Sequence, residues 1–116
     1  MRWILRSKIH KATVTDENLD YTGSIGIDSA LTERVGLLPG EKVLVVDNTN
    51  GARLETYVIE EEKNSRKIII YGAACHLIKK GDEIIVMGFE LTDKPIKAKN
   101  ILVDKNNRFV KFLLPR

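Results

Sequence analysis

The sequence predicts a mainly β fold, and three observations support this prediction. Short apolar runs separated by turn residues recur along most of the chain, and only two segments look like short helices. An Asn-Gly pair at residues 50–51, flanked by apolar runs, indicates a hairpin. Residues 38–45 and 79–86 repeat one pattern (a glycine, an acid, a charged residue, then a β-rich run) at a spacing of 41 residues. Although a Gly-acid turn before a strand is common, this repeat favours a barrel of two interleaved, pseudo-symmetric halves.

A long first strand is predicted to precede a polar loop and a short second strand. Residues 3–15 alternate between apolar and polar side chains, as expected of a half-buried strand. Residues 16–20 are polar and predict a loop, whereas residues 24–27 predict a strand. In the first strand, alternation assigns Trp3, Leu5 and Ile9 to one face and Arg6, Lys8 and His10 to the other.

One helix and one buried strand are expected next. Asp28 or Ser29 can cap a helix over residues 30–35. Gly36 is placed to end this helix, because glycine readily adopts the left-handed conformation that follows a helix. The mostly apolar residues 42–47 predict a strand that is buried on both faces.

The second half of the chain is predicted to consist of strands joined by turns. The Asn-Gly pair suits a turn with positive φ at both central positions, and it leads into a strand over residues 52–59. A short helix with a glycine at its start is expected over residues 72–77. The other strands are predicted over residues 67–70, 83–91, 101–104 and 109–114, with turns at residues 63–65 and 106–107.

Length and composition restrict the class of protein. With 116 residues, 43% of them hydrophobic and 30% charged, we expect one globular domain over residues 1–116. One cysteine and two histidines do not suffice for a disulfide framework or a four-ligand zinc site. No apolar run is long enough for a membrane span, and charges interrupt the first residues too early for a signal peptide. We therefore expect a cytoplasmic protein with neither a metal site nor a membrane segment.

The charge distribution leaves a non-enzymatic binding function open. The net charge is +3, and the basic excess lies in residues 1–11 and 93–116. A β-barrel with basic ends is able to bind nucleic acid or another protein. However, the sequence has neither an extended basic helix nor aromatic residues interleaved with the basic ones. A solvated basic surface is the favoured interpretation.

The common catalytic motifs are absent from the sequence. It contains no phosphate-binding loop, no dinucleotide-binding motif, no Gly-x-Ser-x-Gly elbow and no pair of metal-binding histidines. A different set of residues occurs in order instead, although each member alone has an ordinary structural explanation. The set comprises Lys8-Ile9-His10, Tyr21 with Gly23-Ser24, Thr49-Asn50-Gly51 with Arg53, Thr56-Tyr57 and Gly72-Ala73-Ala74.

Together these residues resemble the aspartate 1-decarboxylase family over roughly residues 1–90. The resemblance implies a double-psi β-barrel with a few short helices, assembled as a homotetramer with active sites between neighbouring subunits. It implies decarboxylation of L-aspartate to β-alanine and CO2, for pantothenate and coenzyme A biosynthesis. Neither a metal nor pyridoxal phosphate is implied, nor a nucleic-acid or membrane partner. The cofactor is instead a pyruvoyl group, made when the chain cuts itself into residues 1–23 and 24–116.

The chemistry of this family explains the serine at the cut. Gly23 lacks a Cβ, which allows a strained geometry that exposes its carbonyl to the Ser24 hydroxyl. Attack exchanges the amide for an ester, and β-elimination followed by hydrolysis leaves a pyruvoyl group on the larger chain. Its ketone forms an imine with the substrate amine, and this imine accepts the electron pair released when CO2 is lost.

The resemblance also assigns roles to further residues. Arg53 and Tyr57 are four residues apart, so regular alternation puts them on one face of a strand and Thr56 on the other. Either a local irregularity or separate roles must account for this. The implied roles are cleavage for Gly23, Ser24 and Thr56, proton donation for Tyr57, substrate binding for Arg53, Lys8, Gly72, Ala73 and Ala74, and auxiliary functions for His10, Tyr21 and Tyr71.

One position departs from the family. Tyr71 stands where the relatives usually carry asparagine, and it lacks the paired donor and acceptor of an amide. A third hypothesis therefore joins the self-processing decarboxylase and the binding module. It is a barrel of this family that folds but cleaves poorly.

Overall fold

The computed structural model describes residues 1–114 and confirms the prediction of a mainly β protein. This part of the chain forms nine strands, one α-helix and a 3-10 helix at Gly72–His76, and none of its helices is long and apolar enough to cross a membrane. The other elements are β1 (Arg2–Thr13), β2 (Asp16–Asn18), β3 (Ser24–Asp28), α1 (Ser29–Val35), β4 (Lys42–Asp47), β5 (Arg53–Glu61), β6 (Ile68–Tyr71), β7 (Glu83–Thr92), β8 (Lys99–Val103) and β9 (Phe109–Phe112).

All nine strands belong to one mixed sheet, in the order β2-β6-β3-β5-β4-β7-β1-β8-β9. Three of the pairs are parallel, namely β1 with β8, β2 with β6, and β3 with β5. Just after β1, the amides of Val14 and Thr15 donate to carbonyls of Asp82 and Ile68, which joins distant parts of the sheet. The curved sheet encloses a core that consists mainly of isoleucine and valine. This arrangement agrees with the predicted double-psi β-barrel.

The 41-residue repeat corresponds to a pseudo-twofold relation in the structure. Val45 of β4 lies directly opposite Val86 of β7, and the repeat makes these two residues equivalent. The amides of Gly40 and Gly81 donate matching hydrogen bonds, at 2.7 and 2.8 Å, to a carbonyl of β5 and to one just after β1. Both glycines have positive φ, 81° and 93°. The repeated pattern therefore marks corresponding turns of two interleaved halves.

Helix α1 begins and ends as predicted. Asp28 is the N-cap, because its carboxylate accepts the amide of Ala30 at 2.8 Å. Gly36 ends the helix in the left-handed conformation, at a φ of 77°. The buried Asp28 carboxylate also accepts the amides of Asn64 and Arg66, at 2.9 and 2.8 Å. One side chain therefore joins the start of the helix to the turn between β5 and β6.

The prediction of a loop over residues 16–20 was wrong in part. Asp16–Asn18 forms β2, a three-residue strand that pairs in parallel with β6 at the edge of the sheet. Its side chains are polar because they are partly or fully exposed. Backbone pairing with β6 therefore determines the extended conformation of these residues, and their side chains do not show the apolar alternation of a half-buried strand.

The predicted alternation of β1 is interrupted. Its pairing with β7 shifts register between Leu5 and Ser7 and again between Ile9 and Ala12. Lys11 adopts a left-handed φ of 66° within the second shift. As a result Ile9 and Ala12 are both buried although they are three residues apart. The two faces assigned from the sequence are therefore not continuous along the strand.

The hairpin between β4 and β5 is confirmed, but two of its predicted details were wrong. Of residues 48–51, only Gly51 has a positive φ, at 80°. Asp47 closes the turn instead, because its Oδ1 accepts the amides of Thr49 and Asn50 at 2.7 and 3.3 Å. In addition, β4 is fully buried on one face only, the face that carries Asp47.

Asp47 makes the stability of the protein depend on pH. Burial, together with the neighbouring Asp82 carboxyl, raises the pKa of Asp47 from 3.8 to about 6. Oδ2 of Asp47 is buried without a hydrogen-bond donor among the described residues. Because the folded state binds this proton more tightly than the unfolded state, the stabilisation is complete below about pH 4. It is lost as the pH rises through about 6.

We expect Asp47→Asn to raise the free energy of unfolding by about 2 kcal/mol at about pH 8 and to change it little at about pH 4. The amide keeps the acceptor for the turn, removes the charge and adds a donor towards Asp82. Urea denaturation at the two pH values measures the effect. Asp20→Asn, at an exposed position, is the control. An equal change at both pH values would contradict the assignment to Asp47.

Candidate active site

The bond between Gly23 and Ser24 lies where the chain passes from the surface into the sheet. Residues 21–23 are exposed, whereas Ser24 begins β3 and is 1% exposed. The Ser24 hydroxyl donates a hydrogen bond to the carbonyl of Thr22 at 3.1 Å. The hydroxyl is thus held beside the backbone on the N-terminal side of the bond, and it is screened from solvent.

Strands β5 and β6 flank β3 and place a tyrosine on each side of Ser24. Tyr71 of β6 lies directly opposite Ser24. On the other side Ile25 pairs with Val58, and the same register continued by one residue places Tyr57 opposite Ser24. Opposed residues of neighbouring strands share one face of a sheet. Ser24 and the two tyrosines therefore lie side by side on one face.

Thr56 lies on the other face of β5. Exposure alternates along this strand, so that Arg53 and Tyr57 are exposed and Thr56 is half-buried. The β4–β5 ladder runs without a register shift. Of the two explanations considered from the sequence, a local irregularity is therefore wrong, and separate roles remain.

Gly72 allows the 3-10 helix to approach the bond after Gly23. Its φ is 74°, and a Cβ at this position would lie 2.6 Å from the Gly23 Cα and 2.8 Å from the Gly23 nitrogen. Gly23 itself is outside the left-handed region and has room for a Cβ, whose nearest neighbour would be the Tyr71 carbonyl oxygen at 4.0 Å. The close packing here therefore requires glycine at position 72, whereas the intact chain holds Gly23 without this backbone strain.

The two alanines that follow Gly72 have different surroundings. Ala73 is exposed, whereas Ala74 is half-buried and packs against the core. The Ala74 carbonyl accepts the amides of Leu77 and Ile78 at 3.0 and 2.9 Å. Of the three residues expected to line the pocket, Gly72 is the one that the structure places against Gly23.

Tyr71 is held by two neighbours. Its hydroxyl donates to Glu61 Oε2 at 3.0 Å, and its ring packs against the ring of Tyr21 with the centroids 4.8 Å apart. Burial and the Glu61 carboxylate raise the pKa of Tyr71 to about 12, so its hydroxyl stays protonated at neutral pH. The Glu61 carboxylate in turn lies over Gly26, in space that any Cβ there would occupy.

Arg53 lies in a groove on the exposed face of β5, away from Ser24. It is four residues before Tyr57, which corresponds to about 13 Å along the strand. Both apolar and charged residues line the groove. Its lining residues are Trp3, Glu41, Lys42, Leu44, Arg53, Leu54, Glu55 and Phe89.

Lys8 and His10 lie in a second groove. Their strand, β1, is four places from β3 in the sheet order. Burial, Lys8 and Lys11 lower the pKa of His10, so its ring is neutral at neutral pH. His10 Nδ1 and Asn100 Oδ1 are both buried without a hydrogen-bond partner among residues 1–114. The lysines that line this groove, Lys8, Lys11, Lys97 and Lys111, make it suited to an anion.

One chain therefore assembles only part of the predicted site. The structure brings the Gly23–Ser24 bond together with Tyr71 and Gly72, and the β3–β5 register continued by one residue places Tyr57 next to Ser24. Arg53 lies in one groove, and Lys8 lies with His10 in another. Within residues 1–114, no three His, Cys, Asp or Glu side chains are grouped to hold a metal ion.

The sequence interpretation missed Glu61, the partner of Tyr71. Its only signal was its place in the acidic run of residues 60–62. The contact depends on β5 and β6 flanking the same strand, and this pairing is a property of the sheet topology.

Comparison with known proteins identifies the family. The model of the aspartate decarboxylase family matches residues 1–110. The chain is 54% identical to the aspartate 1-decarboxylase of Corynebacterium efficiens over 114 residues, which cover 95% of this chain and 84% of that protein. It is 48% identical to the aspartate 1-decarboxylase of Desulfitobacterium hafniense, over 95% of this chain and 90% of that protein. The corresponding protein of Thermotoga petrophila is 46% identical, over 91% and 93%. The chain therefore belongs to the aspartate decarboxylase family.

Proposed function

We propose that this protein decarboxylates L-aspartate to β-alanine and CO2 with a pyruvoyl group that it makes from Ser24. Membership of the family supports the reaction on aspartate. One observation supports self-processing above all, namely the surroundings of the Gly23–Ser24 bond. The Ser24 hydroxyl lies beside the preceding backbone, shielded from water, while Gly72 packs against Gly23 on the other side of the bond.

Self-processing begins when Ser24 Oγ leaves the Thr22 carbonyl and attacks the carbonyl carbon of Gly23. The C–N bond breaks, Gly23 becomes an ester of the Ser24 hydroxyl, and the Ser24 nitrogen takes up the proton. We propose that Thr56, on the neighbouring strand β5, donates to the oxyanion that forms during the attack. Loss of the Ser24 Cα proton expels the Gly23 carboxylate, and water then replaces the nitrogen as ammonia. Two chains, residues 1–23 and 24–116, result.

A pyruvoyl group at this position supplies an electron sink for the carbanion that remains when CO2 departs. Tyr57 lies on the same face as Ser24 and returns a proton to that carbon. Its hydroxyl group belongs to a side chain that is 39% exposed, so it exchanges protons with water between turnovers. No pyridoxal phosphate and no metal ion take part in the proposed reaction.

Binding of the two carboxylates of aspartate requires cations near Ser24. Arg53 offers a planar pair of donors to one carboxylate, and Lys8 offers a second positive charge. In one chain these residues lie in two separate grooves, and Ser24 lines neither of them. We therefore propose that the active sites lie between neighbouring subunits of a homotetramer, where another copy supplies the missing cation.

We further propose a cytoplasmic enzyme whose β-alanine enters pantothenate and coenzyme A biosynthesis. Neither nucleic acid nor a membrane is needed for this function. The basic groove around Lys8, which is lined by lysines from both ends of the chain, binds a substrate carboxylate in this proposal. The charge at the two ends of the chain therefore does not require a nucleic-acid partner.

Intact-mass spectrometry of the purified protein tests the proposal. We expect two chains, residues 1–23 and 24–116, with the larger one lacking a free α-amine, together with β-alanine formation from L-aspartate. A chain that stays whole after prolonged warming and forms no β-alanine would contradict it. Salt-dependent nucleic-acid binding by such an uncut protein would favour the binding module instead.

A further inference from the structure

We infer that Tyr71 is a positioning residue for self-cleavage, because its ring, held by Glu61, fixes Tyr21 and with it the exposed segment that carries the bond. This inference rests on the proposed self-processing between Gly23 and Ser24. It assigns a positive role to the residue that the family resemblance marks as a departure.

The segment formed by residues 21–23 needs such a support. It connects β2 with β3, all three of its residues are exposed, and Tyr21 itself is 54% exposed. The contacts that hold it against the sheet include the stacking of Tyr21 on Tyr71, the packing of Gly23 on Gly72 and the hydrogen bond from Ser24 to the Thr22 carbonyl. The tyrosine pair is the one contact among these that involves large side chains.

Tyr71 is itself held in place across β3. It stands on β6, directly opposite Ser24, while Glu61 stands on β5, opposite Asp28. The hydrogen bond between Tyr71 and Glu61 therefore passes over the strand that lies between them. It crosses β3 at Gly26. Because this residue is glycine, the Glu61 carboxylate can occupy the space that a Cβ would otherwise fill. The ring of Tyr71 consequently has a fixed position on which Tyr21 can pack.

The same geometry shows how the tyrosine differs from an amide at this position. The Tyr71 hydroxyl has one proton, and it donates that proton to Glu61. The proton is therefore not available to the oxyanion of Gly23. The contribution of Tyr71 to cleavage is accordingly made by its ring, through Tyr21, and not by direct donation.

Cleavage rates of freshly purified, uncut protein test this role by intact-mass spectrometry over time. We expect Tyr71→Leu and Tyr21→Leu each to slow cleavage about 2- to 10-fold, which is the range expected for loss of one aromatic pair. The double variant is expected to be no slower than the slower single variant, because both changes remove one contact. Tyr21→Phe keeps the ring and is expected to cleave at the natural rate. Thermal melting of every variant controls for loss of the fold.

The outcomes separate this inference from the proposed function. If the natural protein does not cut itself, the proposed function fails. If it does so and the leucine variants cleave at the same rate, or if their effects multiply in the double variant, the positioning role is wrong while the proposed function stands. Faster cleavage by Tyr71→Asn would also overturn the positioning role. It would show that the tyrosine slows self-cleavage, as in the hypothesis of a barrel that folds but cleaves poorly.

Discussion

Replacing Ser24 by alanine is expected to give a folded chain of 116 residues that is neither cut nor able to form β-alanine. The substitution removes the only atom proposed to attack the Gly23 carbonyl, and with it the precursor of the pyruvoyl group. It removes a single hydrogen bond, from Ser24 to the Thr22 carbonyl, so the loss of stability is limited to about 1 kcal/mol. Intact mass, circular dichroism and a β-alanine assay measure the three parts of this expectation.

Ser29→Ala is a matched control for this variant. Ser29 is also a buried serine, at the first position of α1, and it lies outside the proposed site. We expect this variant to be cut between Gly23 and Ser24 and to form β-alanine. Cutting of the Ser24→Ala chain at the same bond would show that another group acts as the nucleophile. Formation of β-alanine by the uncut chain would show that decarboxylation does not depend on a pyruvoyl group made from Ser24.

Replacing Gly72 by alanine is expected to disturb both stability and cleavage. The left-handed backbone at a φ of 74° disfavours a Cβ, and that Cβ would lie 2.6 Å from the Cα of Gly23. Relief of this clash requires the 3-10 helix or the exposed segment to move, because both contacting groups are backbone. We expect the free energy of unfolding to fall by about 2–4 kcal/mol. We also expect cleavage to slow by more than about tenfold, which corresponds to at least about 1.4 kcal/mol of activation free energy.

Gly36→Ala separates the contact from the backbone conformation. Gly36 has nearly the same φ, 77°, but a Cβ there has no neighbour within 4 Å. This variant is expected to lose only the 1–2 kcal/mol or so of a left-handed residue and to cleave at the natural rate. Urea denaturation and intact-mass time courses measure both quantities. If the two variants slow cleavage equally, packing on Gly23 is not the cause.

Local signals in the sequence were sufficient for much of the fold. Asp28 and Gly36 bracket the helix because capping and the left-handed conformation depend on side chains within a few residues. The repeated glycine–acid turns were recognisable for the same reason, and the structure shows them in equivalent positions. Strand β2 was missed because only pairing with β6 makes its polar residues extended.

The arrangement of the candidate site could be predicted from the sequence less well than the fold. The family resemblance selected Ser24, Tyr57 and Arg53, but the distances among them depend on strand order. The strand register places Tyr57 beside Ser24. Arg53 precedes Tyr57 by four residues on the same strand, which corresponds to about 13 Å. The contact between Tyr71 and Glu61 crosses an intervening strand, and such a contact has no fixed spacing in the sequence.

The position of β1 decides what the proposed cleavage would do to the stability of the protein. This strand lies inside the sheet, between β7 and β8, and it belongs to the smaller of the two proposed fragments. The uncut chain refolds in a first-order process, whereas the mature protein must recover a separate peptide from solution, in a process that slows on dilution. We therefore expect denaturation of the cleaved protein to be practically irreversible at low concentration. Its working lifetime would be governed by the rate at which the sheet opens, not by an equilibrium between folded and unfolded forms.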